Sequence, residues 1–197
     1  MDTTPYKESY ILQLGKLRTI IDASNSRIIA DPPDELIYDN ANFFTKAFLV
    51  TMCAYLESYL KDVLMVVVDE LNARLTTTKL PHNLVKWSFN LDKELKENEL
   101  KYEQLKIGIK KKELDDFISG NPYKTKDLFK KFGIELEKNS VFNSQKEEIN
   151  SIVVKRNKIL HHNDEASDVS NKDLTDNIAA LTLYISNIDE LICKHLD

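Results

Sequence analysis

The sequence predicts an all-α protein, a bundle of long helices, and three observations support this fold class. Its 197 residues include only four glycines and five prolines, so few positions interrupt a regular element. Apolar residues recur three or four positions apart along most of the chain, which is the period of a helix. A hydrophobic fraction of 42% in a chain of this length supplies one sizeable core. We therefore expect a single helical domain over residues 1–197.

Two long helices are predicted in the N-terminal part of the chain. The first covers about residues 6–29 and ends before the proline pair within residues 31–34, because a residue that precedes proline disfavours helical geometry. The second covers about residues 40–75 and has apolar side chains on two of its sides. A helix of that kind belongs at the centre of a bundle. Glu57 lies inside this apolar stretch, where a carboxylate needs a cationic partner.

Residues 76–143 are expected to form an inserted helical region between the second helix and the next long one. The predicted elements are a loop over 76–81, a short helix over 84–87, a charged helix from 93 to about 117, and a short helix over 126–132. The Gly-Asn-Pro sequence at 120–122 breaks the charged helix, and Gly133 closes the short one. The sequence assigns no role to this region.

The stretch of residues 151–163 carries most of the candidate functional side chains. Apolar positions in this stretch and just before it have helical spacing and predict one stripe against the core, at Ile149, Ile152, Val153, Ile159 and Leu160. Arg156 falls on that stripe, and a buried guanidinium needs a carboxylate, a carbonyl or a phosphate as partner. Asn157 and His161 are four residues apart, so they lie next to each other on an adjoining face.

The last predicted helix follows a polar loop. Ser170, with Asp173 three residues later, has the spacing of a helix N-cap. The apolar positions after it alternate four and three residues apart, at Leu174, Ile178, Leu181, Ile185, Ile188 and Ile192. Such a seam packs along another helix.

Composition excludes several classes of protein. A net charge of −5 argues against a surface made for indiscriminate nucleic-acid binding, although it leaves room for a local basic site. Cys53 and Cys193 lie in apolar helical patterns without metal-ligand spacing, so we expect reduced thiols, no metal and no cofactor. The apolar run at residues 63–68 is too short to span a bilayer, and the first residues lack the pattern of a signal peptide. We expect a cytoplasmic protein.

These features resemble the HEPN superfamily, named for the higher-eukaryote and prokaryote nucleotide-binding domain. The signature of that family is an arginine, four to six further residues and a histidine at the end of the penultimate helix. Arg156 and His161 fit it with four residues between them, and His162 would fit with five. The segment 54–60 around Glu57 is also similar to the acidic helix of RiboL-PSP-type members. The resemblance implies a HEPN-type bundle of long antiparallel helices.

The resemblance also implies a metal-independent endoribonuclease that acts as a homodimer. His161 would deprotonate the ribose 2′-OH or protonate the leaving 5′-oxygen, while Arg156 would hold the non-bridging phosphate oxygens. The products would be a 2′,3′-cyclic phosphate and a 5′-hydroxyl. Asn157 would contact the phosphate or orient His161, and Glu57 would hold Arg156. Further contacts to RNA are expected from Lys158, His162, Lys110 and Lys111.

Members of the family occur as toxins of toxin–antitoxin pairs and as anti-phage defence effectors, so an antitoxin or regulatory protein is an expected partner. Plainer alternatives stand beside these roles. Arg156 and Glu57 could form a purely structural ion pair, and His161 and His162 could cap the last carbonyls of their helix. The alternative function is a non-catalytic HEPN module that binds nucleotide or RNA, or that dimerises and docks a partner. A third possibility is an unrelated helical scaffold.

Overall fold

The computed structural model describes residues 2–91, 103–162 and 166–197, and these residues form helices and connecting segments without a β-strand. The α-helices are α1 (Lys7–Ile28), α2 (Glu35–Asp39), α3 (Ala41–Thr78), α4 (His82–Ser88), α5 (Pro122–Lys131), α6 (Ser140–His162) and α7 (Asn171–Leu196). Short 3₁₀ helices cover Lys111–Leu114 and Leu136–Lys138. The predicted all-α fold is confirmed.

The core lies between α7 and the three long helices α1, α3 and α6, each of which packs against it. Every residue of the predicted α7 seam is buried. Helix α3 also packs against α1 and α6, which explains why its apolar residues lie on two sides. It runs antiparallel to α6, because Glu57 contacts Arg156 while Asn42, earlier in α3, accepts a hydrogen bond from Ala166.

The ends of α5 and α7 are fixed by the residues that the sequence singled out. Ser170 and Asp173 form a reciprocal capping box at the start of α7, as expected. The hydrogen bonds from the side chain and backbone of Ser170 lower the pKa of Asp173. Asn121 caps α5 by accepting hydrogen bonds from two backbone amides of its first turn, and Pro122 occupies the first helical position. Gly133 follows α5 with a φ of 80°, so the predicted closure is confirmed.

The predicted helix over 93–117 is wrong where the structure describes it. Residues 93–102 lie outside the described residues, and residues 103–110 are not helical; the 3₁₀ helix begins at Lys111. The backbone before it bonds to another part of the chain: the amide of Leu105 donates to the carbonyl of Leu80 at 2.7 Å. The side chain of Asn72 also bonds both the amide and the carbonyl of Ile107, at 2.8 and 3.1 Å. These contacts replace the bonds that a helix would make internally.

The structure also tests the two elements predicted between residues 76 and 87. The predicted loop at 76–81 is shorter, because α3 continues to Thr78 and ends where Lys79 adopts a left-handed backbone with a φ of 50°. The short helix predicted over 84–87 is present as α4.

The region 76–143 packs onto the same core as the long helices. Its buried contributions are Leu114, Ile118, Leu128, Phe129, Ile134, Leu136 and Phe142. Its interpretation as an insertion, and the single domain over 1–197, stay predictions. No helix within the described ranges combines the length and apolarity that crossing a membrane requires.

Candidate functional site

The centre of the candidate site is an ion pair between α6 and α3. Arg156 donates from Nη2 to Oε1 of Glu57, and the two side chains are 13% and 24% exposed. The same nitrogen also donates to the backbone carbonyl of Ser119 at 3.3 Å. The structure thus joins two residues that the sequence had paired and adds a third partner. The Nε atom of Arg156 is buried and has no hydrogen-bond partner among the described residues.

Cys53, one helical turn before Glu57 on α3, borders the same pair. Burial raises the pKa of its thiol to about 11, although the neighbouring Arg156 acts in the opposite direction. The thiol therefore stays protonated at neutral pH. Cys53 is fully buried, which agrees with the small core side chain that the sequence suggested.

A tight corner of the chain at residues 119–121 packs against the ion pair. Gly120 has a φ of +67°, and a Cβ atom there would lie 3.4 Å from Val153 and 3.5 Å from Cγ of Glu57. Asn121, next to it, donates from Nδ2 to Oδ1 of Asn150 on α6 at 2.9 Å. The corner therefore contacts both α3 and α6, the two helices that carry the ion pair. Sequence reasoning read this Gly-Asn-Pro segment only as a helix breaker and missed its place at the site.

His161 and Asn157 lie nearer to solvent than Arg156. His161 is exposed in the last turn of α6, and Asn157 is half-buried. Five residues of helix separate the Cα atoms of Arg156 and His161 by about 7.5 Å along the axis and about 140° around it. Asn157 lies between them, at about 100° from Arg156. A single chain therefore directs the arginine towards α3 and the imidazole towards solvent.

The apolar stripe of α6 is confirmed at four of its five positions. Ile149, Ile152, Val153 and Ile159 are buried. Leu160 is 52% exposed, so its assignment to the core was wrong. It lies near the end of α6, next to Ile159, which is buried.

Residues 16–194 match a family model described as RiboL-PSP-HEPN. The chain belongs to the RiboL-PSP-HEPN family. The match extends across α3, the middle region, α6 and almost all of α7. Comparison with curated proteins and with solved structures found no match to this HEPN chain.

The predicted RNA-binding lysines of this HEPN domain lie in different settings. Lys158 is exposed on α6, three residues before His161. Lys111 forms an ion pair with Asp62 on α3, and Lys110 is exposed beside it. The side chain of His162 lies outside the described part of the chain. The structure therefore brings Lys158 near the motif, while Lys110 and Lys111 lie beside α3 more than one turn beyond Glu57.

No cluster of potential metal ligands exists among the residues that the structure describes, including those around the HEPN motif. An apolar cavity of about 310 Å³, lined by none of the motif residues, lies between the C-terminal half of α3, residues 107–109 and α5. Val68, Leu71, Ile107 and Phe117 are among its lining residues. The residues predicted for the candidate site are a guanidinium, a carboxylate, an amide and an imidazole.

Proposed function

We propose that this HEPN domain is a metal-independent endoribonuclease that uses the ribose 2′-OH of its substrate as the nucleophile. The observation that supports this most is the position of Arg156, held by Glu57 and Ser119 beneath a surface that carries Asn157 and His161. RNA supplies its own nucleophile, so an enzyme needs to move protons and to stabilise the charged phosphorane. An imidazole and a guanidinium are suited to those two tasks.

Each residue has a distinct part in the proposed reaction. His161 removes the proton of the 2′-OH or donates one to the leaving 5′-oxygen, which gives a 2′,3′-cyclic phosphate and a 5′-hydroxyl. Arg156 stabilises the negative charge on the non-bridging oxygens with the part of its guanidinium that remains accessible, since the side chain is 13% exposed. Asn157, between the two on the surface of α6, hydrogen-bonds the phosphate. Glu57 is a positioning residue, because its carboxylate accepts a hydrogen bond from Arg156.

The angular separation of Arg156 and His161 supports a homodimer as the active form. When two copies pair through α6 about a two-fold axis, each copy brings its imidazole towards the other. Exposed apolar residues on α6 favour such pairing, since Val154 is 40% and Leu160 52% exposed. The interface would then contain two Arg156 and two His161 side chains. Lys158 and His162 would contact the RNA backbone beside them, and Lys110 and Lys111 would do so farther away.

We further propose a role as a toxin or anti-phage defence effector in the cytoplasm. The activity of a ribonuclease with a solvent-exposed catalytic histidine has to be regulated in the cell. An antitoxin or regulatory protein that covers the α6 surface would inhibit it. Expression in bacteria tests this role. Growth arrest that His161→Ala relieves supports it, and arrest that persists in this variant argues against it.

Purified protein incubated with total RNA in EDTA tests the activity. We expect cleavage without divalent metal, products that end in 2′,3′-cyclic phosphate, and loss of cleavage in Arg156→Lys, which keeps the charge but not the planar fork. An oligonucleotide with a single 2′-deoxyribose at the cleaved position should resist cleavage there. Cleavage at that position, or a requirement for metal, would contradict the proposed chemistry.

One observation favours the alternative, a HEPN module without catalysis. The Nη2 atom of Arg156 is already bonded to Glu57 and Ser119, and the side chain is only 13% exposed. A purely structural pair would look the same. If wild-type protein binds RNA or nucleotide but leaves every RNA intact, and Arg156→Lys lowers stability alone, the non-catalytic function is correct.

A further inference from the structure

The middle region has a charge opposite to that of the whole protein. Residues 103–139 contain nine lysines and seven carboxylates, whereas the whole chain has a net charge of −5. Several of these lysines are neutralised locally, as Lys111 pairs with Asp62 and Lys126 with Glu137. Lys124 and Lys130 are not in an ion pair with any described residue. A basic surface on an acidic protein attracts polyanions locally.

A cavity of about 200 Å³ lies in this region, and two lysines and two aspartates line it. Its lining residues are Asp116, Phe117, Lys124, Asp127, Leu128 and Lys131. Phe117 is an aromatic ring that is 47% exposed, and Lys131 lies with its Nζ 4.3 Å from the ring centroid. The cavity thus combines an exposed aromatic ring with two ammonium groups and two carboxylates.

This combination matches the chemistry of a nucleotide. Every nucleobase has a π-face that stacks on an aromatic ring, and its phosphate attracts lysine. The carboxylates of Asp116 and Asp127 would repel a phosphate placed directly on them, but they accept hydrogen bonds from the amino groups of bases. An acidic peptide would satisfy the lysines and leave the ring and the carboxylates without a role. The cavity therefore fits a base with its phosphate better than it fits a simple anion.

The cavity is also close to the candidate catalytic site. Phe117 precedes Ser119 by two residues, so their Cα atoms are no more than about 7 Å apart. Ser119 accepts a hydrogen bond from Arg156, and Gly120 contacts Glu57. A strand of RNA that passes over Arg156 can therefore place a nearby nucleotide on Phe117.

We propose that the cavity lined by Phe117, Lys124 and Lys131 binds one nucleotide of a single-stranded RNA whose scissile phosphate lies at Arg156. This rests on the proposed ribonuclease function for the identity of the strand. The base takes the place of the Lys131 ammonium on the ring of Phe117, and the displaced Lys131, together with Lys124, binds the adjoining phosphates. The middle region then contributes substrate affinity, and single-stranded substrates are favoured because a paired base cannot enter the cavity.

RNA binding measured by fluorescence anisotropy tests this assignment. The probe is a labelled single-stranded oligoribonucleotide, and the protein carries His161→Ala so that the probe stays intact. Adding Phe117→Leu should raise the Kd at least about fivefold, the effect of losing one base stack. The matched control is Phe89→Leu, since Phe89 is a 70% exposed ring outside the cavity, and it should leave the Kd unchanged. Lys124→Gln should reduce the salt slope of binding by about 0.7.

Equal Kd values for Phe117→Leu and Phe89→Leu would overturn the proposal, as would the absence of any RNA binding. Binding is measured on protein that cannot cleave, so its result is independent of catalysis. Wild-type protein that cleaves RNA while Phe117→Leu has no effect would overturn the cavity assignment alone. Protein that never cleaves but still depends on Phe117 for binding would overturn the ribonuclease function and support the cavity.

Discussion

At the scale of single residues, the site is organised around one guanidinium. Arg156 reaches Glu57 on α3 and the carbonyl of Ser119, so its orientation depends on two segments far away in the chain. Its guanidinium is largely shielded from solvent. Removing the carboxylate of Glu57 would therefore leave a partly buried positive charge without a counter-charge. The pair therefore serves the fold whether or not it also serves catalysis.

Replacement of Glu57 by glutamine should lower the free energy of unfolding by about 1–3 kcal/mol, because the partly buried guanidinium keeps a hydrogen bond but loses its counter-charge. Urea denaturation measures the change. Lys194→Gln is the control, since the Lys194–Glu190 pair is 66% and 63% exposed, and it should change stability by less than about 0.5 kcal/mol. Equal effects at the two positions would show that the Arg156 pair is no stronger than a surface pair.

Gly120→Ala should lower stability by about 1–2 kcal/mol, because the φ of +67° is unfavourable for a residue with a side chain. RNA cleavage should fall as well, since a change of backbone conformation at Gly120 moves the adjacent Ser119 carbonyl, which accepts a hydrogen bond from Arg156. Gly108→Ala is the control, because a Cβ there has no atom within 4 Å. Thermal unfolding and cleavage rates that are the same for both variants would contradict the positioning role of the corner.

At the scale of elements, the sequence predicted the long helices well and the middle region poorly. Helices α1, α3 and α7 have periodic apolar residues, and their periodicity specifies the buried face directly. Residues 105–107 form hydrogen bonds with Leu80 and Asn72, and such distant partners leave no local pattern. The same limit explains why Arg156 and Glu57 could be paired from their burial, whereas the corner at 119–121 was missed.

The capping box of α7 gives a prediction at this scale. Ser170→Ala should lower the free energy of unfolding by about 1 kcal/mol at pH 7. Hydrogen bonds from Ser170 lower the pKa of Asp173 in the folded state, so their contribution is present above the unfolded pKa and is lost as the pH falls through the folded one. The difference between variant and wild type should therefore shrink below about pH 4.

Urea denaturation at pH 7 and at about pH 3 measures this difference, with Ser151→Ala as control. Ser151 is an exposed serine in the middle of α6, so its replacement should have little effect at either pH. A Ser170→Ala effect of the same size at both pH values would show that the carboxylate takes no part in the cap.

At the scale of the whole molecule, the middle region is joined to the bundle through a shared core and through the site. Leu114, Ile118 and Phe129 are buried with the long helices, and Ser119 bonds Arg156. The family match also continues through this region. Folding of the bundle and formation of the site are therefore expected to be one event, and not the separate folding of a core and an appendage.

The proposed homodimer predicts a defined oligomeric state. Val154→Glu should convert the dimer to a monomer in light-scattering measurements, because it places a charge in the exposed apolar part of α6. Val154 lies about 160° from Arg156 around the helix, so the ion pair should persist. The control is Val141→Glu, a 48% exposed valine in the first turn of the same helix. A wild-type monomer, or a Val154→Glu dimer, would contradict pairing through this surface.

The account as a whole depends on His161 and Arg156 acting on one phosphodiester. The most direct test is the single-turnover rate of RNA cleavage in EDTA for the wild type, His161→Ala and His195→Ala. His195 is an exposed histidine in the last turn of α7, so its loss should leave the rate unchanged. Loss of His161 should lower the rate by roughly 100- to 10,000-fold. Equal rates for the two histidine variants would contradict the proposed site.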